Sequence, residues 1–327
     1  MNKQLIASVA VATCIFATTS AAQTVIRIAH AQPESSPLHE SLDHFKSTLE
    51  QRSEGAFQVE IFAGGQLGSV NEVLELVQSG NIQMGTGASV LLSTTIPELG
   101  MLDQFVLFTD EEHARRTLDG PAGTSLKAAM ENRGLAGMGF LELGFRSFSG
   151  NRALDSLEAF QGFRLRSADN PIQIAAWRSI GAVPLPLAWG EIYPSLQQGL
   201  IDGQESALSS MVTERFYEVQ SHVSLTGHIY WPEVWFANLD FVNSLSEDER
   251  SLMMDVAAET VSVQRDLVAT ANAAALERLS EAGMTRAELP ADDRMRMAET
   301  MNAAIADMLR ESVGGEFFDE FTAALEQ

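Results

Sequence analysis

In the N-terminal third of the chain, the hydrophobic pattern indicates both strands and a helix. Residues 25–29 form a short apolar run and residues 57–61 alternate apolar with polar side chains, so both segments are predicted strands. Between them, apolar residues recur every three or four positions, the spacing of one helix face: Leu38, Leu42, Phe45 and Leu49. Ser36 and Pro37 are preferred at the cap and first position of a helix, so this helix is predicted to begin there.

The same order of elements continues downstream. Ser69 and Glu72 have the spacing of a capping box, which predicts a helix that ends at Gly80, and residues 82–86 are another apolar strand. Strands that alternate with helices predict an α/β lobe with a largely parallel sheet. Further predicted strands lie at 141–146, 163–166, 182–186 and 234–239, and further helices at 111–118, 124–133, 155–161, 171–181 and 190–199.

One long helix is predicted near the C-terminus. Ser246 and Glu249 make a second capping box, and residues 246–282 keep a helical composition almost throughout. At 1.5 Å per residue, these roughly 37 positions span about 55 Å, which is longer than one lobe is wide. We therefore expect this helix to bridge two lobes.

The N-terminal segment differs in composition from the rest of the chain. Residues 1–22 resemble a secretory signal peptide, with Lys3 as the positive start and an apolar stretch at 5–17 that is too short to cross a membrane. Its removal would leave a mature chain free in the periplasm and without Cys14, the only cysteine. Lipidation of Cys14 is the alternative, although threonine is an unfavourable residue before a lipidated cysteine.

Composition and charge limit the possible functions. The 327-residue chain is 45% apolar and 20% charged, which is typical of a globular protein with more than one domain. The net charge is −23, and loss of Lys3 with the signal peptide would leave 20 basic against 44 acidic residues, or −24. This charge argues against nucleic acid as a partner. An anion could bind only where local positive groups dominate the field.

Two arginines are the strongest candidates for such groups. Arg146 and Arg166 each end a predicted strand, so two neighbouring strands would bring both guanidinium groups to one edge of the sheet. A planar guanidinium offers two parallel donors to the two oxygens of a carboxylate. Motifs for catalysis, metals or cofactors are not present: the two histidines at 39 and 44 lack the zinc-helix spacing, and phosphate-loop, dinucleotide-loop and nucleophile-elbow motifs are missing.

Several segments together carry a resemblance to one family. They are Gln66-Leu67-Gly68, Arg146, Gly162-Phe163-Arg164-Leu165-Arg166, Gly181-Ala182-Val183-Pro184-Leu185-Pro186, Glu191-Ile192-Tyr193, Leu196-Gln197-Gln198-Gly199, Asp202-Gly203-Gln204-Glu205, Phe216-Tyr217-Glu218-Val219 and His228. In this order, over nearly the whole mature chain, the sequence resembles the solute-binding subunit of tripartite ATP-independent periplasmic (TRAP) transporters.

The resemblance implies a fold and a mode of action. The fold is the α/β two-lobe periplasmic binding protein fold, with residues 23–143 plus 232–271 as lobe I and 144–231 plus 272–327 as lobe II. The protein would close on a small carboxylate ligand, as a monomer, and deliver it to the membrane permease subunits. A cofactor or metal is not expected.

The resemblance also implies roles for individual residues. Arg166 would be the principal carboxylate anchor, Arg146 a second ligand contact, and Trp189 an aromatic wall, while Ser206 stands where the family usually has asparagine. Further candidate ligand contacts are Glu205, Tyr230 and His30. Trp231 could add to the aromatic wall beside Tyr230, and Ser209 and Ser210 could line it with hydroxyl groups. Each also has a structural interpretation: Arg146 or Arg166 in a surface ion pair, Trp189 or Tyr230 in the core, Glu205 as the partner of an arginine, and His30 as a buried histidine.

The ligand class stays open at this point. A sugar acid such as a uronate or aldonate, or another small carboxylate, is the preferred prediction. The alternatives are a zwitterion or small amine stacked on Trp189, and a receptor that reports its ligand to a signalling partner.

Overall fold

The computed structural model describes residues 23–325. The predicted signal peptide lies outside these residues. The strands are β1 Thr24–Ala29, β2 Phe57–Phe62, β3 Met84–Ala88, β4 Leu135–Gly150, β5 Arg164–Ser167, β6 Val183–Pro186, β7 Gly203–Ala207, β8 His222–Leu225, β9 Tyr230–Asn238 and β10 Thr285–Glu288.

The helices are α1 Pro37–Arg52, α2 Val70–Gln78, α3 Ser89–Leu92, α4 Glu111–Asp119, α5 Pro121–Glu131, α6 Pro171–Ser179, α7 Ile192–Gln197, α8 Leu208–Thr213, α9 Leu239–Ser244, α10 Glu247–Glu281, α11 Ala291–Val313 and α12 Gly315–Leu325. Short 3₁₀ segments occupy Pro97–Asp103, Leu157–Phe160, Trp189–Glu191 and Phe216–Glu218.

The strands form one mixed sheet with the order β2-β1-β3-β9-β4-β7-β5-β6; β8 branches from β4, and β10 pairs with β8. The strands β1, β2 and β3 are parallel, and so are β5, β6 and β7. The long strand β4 joins these two regions, because its first part pairs with β9 and its last part pairs with β7 and β8. This is the α/β two-lobe arrangement that the sequence predicts.

Helix α10 bridges the two regions, as predicted. Its first half packs with α1 on the β1–β3 region and buries Met253 and Val261, and its last turn places Leu279 in the apolar cluster beneath α7 and α8. Gly139 on β4 makes this close approach possible, since a Cβ added there would lie 2.5 Å from Cγ2 of Val261. The capping box of Ser246 and Glu249 begins the helix.

The helix caps at Ser36 and Ser69 are confirmed. Ser36 Oγ accepts from the backbone N–H of His39 at 3.2 Å, and Ser69 and Glu72 form a reciprocal capping box. Two predictions about strands are wrong. The strand that carries Arg146 begins at Leu135 instead of 141, and β7 lies between β4 and β5, so the strands of the two arginines are not neighbours.

The C-terminal helices contact both regions of the sheet. Helix α11 packs against α6, whereas Phe321 of α12 lies in the core cluster that includes α5. The division into lobes at residues 143, 231 and 271 therefore stays a prediction.

Candidate functional site

A cavity of ≈ 520 Å³, including the space at its mouth, lies between the two regions of the sheet. Ala31, Val70 and Ala88 line it from the β1–β3 side, and Arg166 and Trp189 line it from the β5–β6 side. Arg166 and Trp189 also line an adjoining cleft that runs along the turn at 64–69. The cavity therefore has walls from both halves and shares Arg166 and Trp189 with the adjoining cleft.

Arg166 on β5 is a buried guanidinium without a carboxylate partner among the described residues. Its side chain is 4% exposed, and Nε and Nη2 donate to the backbone oxygen of Leu187 at 3.1 and 2.9 Å. Burial lowers the pKa of Arg166 to about 10, so the group stays charged at neutral pH. The Leu187 carbonyl is its hydrogen-bond partner among the described residues, Glu205 and Arg146 act on its charge in opposite directions, and Nη1 is left to meet an anion.

Arg146 on β4 also lines the cavity, but its charge is already paired. Nε and Nη2 donate to the two carboxylate oxygens of Glu205, and Nη2 also donates to the Glu205 backbone oxygen at 2.7 Å. The guanidinium lies 4.5 Å from the ring centre of Trp231. Burial alone would raise the pKa of Glu205, but Arg146 and His228 more than offset it and the pKa is lowered. The two arginines are therefore not equivalent, because Arg146 and Glu205 form a neutral pair.

Trp189 lies in a 3₁₀ turn after β6, where it is half-buried. Its indole Nε1 donates to Glu214 at 2.7 Å, and its ring lies 5.8 Å from the guanidinium carbon of Arg166. The hydrogen bond fixes the ring plane, so that Trp189 forms one wall of both the cavity and the cleft.

Glu233 on β9 is a site residue that the sequence reasoning missed. The residue is 3% exposed and lines the cavity, and its Oε1 accepts from the Thr86 hydroxyl at 2.7 Å. Burial raises the pKa of Glu233 to about 7, although Thr86 and Arg146 act in the opposite direction. A signal was available, because Glu233 is the only charged residue in the apolar run 229–237.

Four predicted site residues do not line the cavity. Tyr230 packs in the core, 5.7 Å from Phe108 between ring centres. His30 Nε2 lies 3.0 Å from His39 Nδ1, and burial lowers the pKa of His30 to about 4. Glu205 and Ser206 are fully buried on β7. Contact of these four with a ligand stays a prediction.

Neighbours of these residues occupy the cavity wall instead. Trp231 and Ser210, both expected as possible wall residues, line the cavity, and Gln32 lines it in place of His30. Side chains of consecutive strand residues point to opposite faces, so the change from Tyr230 to Trp231 is a difference of one residue in strand parity.

The chemistry of the cavity is that of an anion site. It combines one unpaired guanidinium, one neutralised ion pair, one carboxyl with a raised pKa and two indole rings. Within residues 23–325, no group of three or more His, Cys, Asp or Glu side chains is arranged to hold a metal ion. None of the helices in that range is long and apolar enough to span a membrane.

This fold, with a cavity between the two regions of its sheet, is that of a two-lobe solute-binding protein. Residues 28–312 match the model of the bacterial extracellular solute-binding protein family 7 (DctP). The chain belongs to this family, the solute-binding proteins of TRAP transporters.

Individual relatives are similar over most of their length. The 2,3-diketo-L-gulonate-binding periplasmic protein YiaO of Escherichia coli is 30% identical over 91% of this chain and 90% of its own. The sugar acid binding protein DctPAm of Advenella mimigardefordensis, in complex with galactonate, is 29% identical with a TM-score of 0.88 over 93% of this chain and 98% of its own. A TRAP binding protein of Polaromonas, bound to D-erythronate, is 28% identical with a TM-score of 0.84 over 93% and 98%.

Proposed function

We propose that this protein captures an organic acid, in particular a sugar acid, in the periplasm and delivers it to a TRAP permease. The observation that carries the proposal is Arg166, a buried guanidinium in the cavity without a carboxylate partner among the described residues. A ligand carboxylate would supply the missing negative charge through two parallel hydrogen bonds. Arg146 and Glu205 form an ion pair without net charge, so Arg146 would contribute hydrogen bonds to the ligand but little net attraction for its carboxylate.

The three relatives described above support the sugar acid as ligand class. Galactonate, D-erythronate and 2,3-diketo-L-gulonate each combine one carboxylate with oxygen-bearing carbons. The cavity of this chain offers the corresponding groups, since it has a cation at Arg166 and polar side chains at Ser210 and Glu233.

Ligand capture would proceed by closure of the two lobes around the cavity. The proposed lobes are residues 23–143 plus 232–271 and residues 144–231 plus 272–327, with β4 and α10 crossing between them. A ligand that contacts both Arg166 and the opposite wall stabilises the closed form. Small-angle X-ray scattering of the monomer should show a smaller radius of gyration with ligand, and an unchanged radius at saturation would contradict closure.

A thermal-shift panel tests the ligand class. The panel contains sugar acids, C4-dicarboxylates, aromatic acids, zwitterions and amines without a carboxylate. Acids should raise the melting temperature of the wild type and leave Arg166→Ala unchanged, because ligand binding stabilises only a folded state that binds it. Stabilisation by amines alone would contradict the proposal and favour the alternative of an amine stacked on Trp189.

A further inference from the structure

Glu233 has a geometry that carboxylate capture alone does not require. The residue lies on β9 opposite Ala88 of β3, and its side chain is 3% exposed. Oε1 accepts from Thr86, whereas Oε2 has no hydrogen-bond partner among the described residues. Because Glu233 lines the cavity, its unpartnered oxygen is available to a ligand.

The surroundings of Glu233 leave this oxygen without a cation of its own. On β4, Arg146 acts electrostatically on Glu233, but its guanidinium donates to both carboxylate oxygens of Glu205. On β5, Arg166 lines the same cavity and donates to Leu187. On β3, Thr86 is a neutral donor. Oε2 is thus an acceptor that lines the cavity with neither a hydrogen bond nor an ion pair among the described residues, so it marks a position where a polar ligand group can bind.

We propose that Glu233 forms a hydrogen bond with a hydroxyl group of the bound acid, so that the protein binds hydroxy acids more tightly than unsubstituted acids of the same chain length. The proposal rests on the carboxylate capture proposed above. Arg166 would hold the carboxylate, and Glu233 would hold a hydroxyl on the carbon chain across the cavity.

A hydroxyl fits the charges of the cavity better than an ammonium group does. The ligand carboxylate and Arg166 neutralise each other, and so do Arg146 and Glu205. An ammonium would need Glu233 to be fully ionised, yet burial raises the pKa of Glu233 to about 7. A protonated carboxyl is both donor and acceptor, as is a hydroxyl.

Calorimetric titrations of matched acids test the assignment. The hydroxylated probes are D-erythronate and D-galactonate, and butanoate and hexanoate are the acids of equal chain length without hydroxyls. Glu233→Met keeps the approximate shape of the side chain and removes its polar oxygens. This variant should lower the affinity for the hydroxylated acids by about 10- to 100-fold. Its affinity for the acids without hydroxyls should stay within about threefold of that of the wild type.

Glu233→Gln is the conservative variant, because its amide also offers a donor and an acceptor. It should keep most of the preference for hydroxylated acids. Unchanged binding of butanoate or hexanoate by Glu233→Met would show that the variant is folded and that Arg166 still functions.

Failure of this assignment is distinguishable from failure of carboxylate capture. If the wild type binds none of the acids in the panel, the proposed function is wrong. If it binds plain acids as tightly as hydroxylated ones, or if Glu233→Met weakens both equally, the hydroxyl assignment alone is overturned. Tighter binding of L-homoserine than of D-erythronate, lost in Glu233→Met, would assign Glu233 to an ammonium group instead.

Discussion

At the scale of single residues, the site depends on how each charge is balanced. Arg146 and Arg166 are similar in sequence context, yet one is paired inside the protein and the other is not. The carboxylate-anchor role of Arg166 could be predicted from its motif. The pairing of Arg146 could not, because it depends on β7 placing Glu205 beside β4.

Removal of the Glu205 charge should strongly destabilise the protein. Glu205→Gln leaves Arg146 buried with an unpaired charge, so the free energy of unfolding should fall by about 3–5 kcal/mol. Asp319→Asn, which breaks the exposed pair with Arg310, is the control and should change it by less than about 1 kcal/mol. Urea unfolding measures both variants, and equal small effects would contradict a buried ion pair.

Binding of an acid should depend on pH near neutrality. In the ligand-free protein the pKa of Glu233 is about 7. A bound anion should raise this pKa further, because a nearby negative charge favours the protonated carboxyl. Affinity should therefore be fully present below pH 7 and decrease as the pH rises above it, with proton uptake on binding. Arg166 keeps its proton in this range, and Arg146 is the other charged group that acts on Glu233.

Titration in buffers of different ionisation enthalpy at pH 7.5 measures that uptake. Asp103, whose pKa burial raises to about 8, is a second buried group that titrates near neutrality, and its Oδ2 accepts from the Ser93 hydroxyl at 3.3 Å. Glu233→Gln separates the two, since it should reduce the uptake while Asp103 is intact. The same uptake in wild type and Glu233→Gln would exclude Glu233 as its source.

At the scale of elements, the sequence predicted what local patterns encode. The capped helices α1, α2 and α10 begin where their cap residues predict. The first half of β4 was missed because glycines interrupt its apolar pattern, and their purpose is visible only in three dimensions. The position of β7 between β4 and β5 was also missed, since strand order is a property of tertiary contacts.

Gly139 allows a direct test of the contact between β4 and α10. Gly139→Ala places a methyl group 2.5 Å from Val261, so it should lower the free energy of unfolding by about 1–3 kcal/mol. Val261→Ala removes the opposing methyl groups, so the double variant should recover part of the loss caused by Gly139→Ala. Strictly additive losses would contradict the close packing of helix on strand.

At the scale of the whole molecule, the two regions of the sheet are joined by β4 and α10, and the cavity lined by Arg166 and Trp189 lies between them. The two-lobe fold and the family could be predicted from sequence, because spaced motifs extend over nearly the whole chain. The side of β9 that faces the ligand could not be predicted, because the alternation of side chains defines two faces of a strand but does not indicate which face lines the cavity. Glu233 was therefore found only in the structure, and the choice between Tyr230 and Trp231 as the wall residue was made only there.

The central claim is that Arg166 binds the carboxylate of the ligand. Isothermal titration with D-galactonate or D-erythronate, whichever binds the wild type, tests it in Arg166→Ala, Arg166→Lys and the control Arg164→Ala. Arg164 lies two residues earlier on the same strand, is exposed, and pairs with Asp202.

The loss of a buried charge partner of the ligand amounts to about 2–5 kcal/mol, or roughly 30- to several-thousand-fold in affinity. We expect that loss for Arg166→Ala, a substantial loss for Arg166→Lys because lysine lacks the planar pair of donors, and wild-type affinity for Arg164→Ala. Wild-type affinity in a folded Arg166→Ala protein would contradict the account.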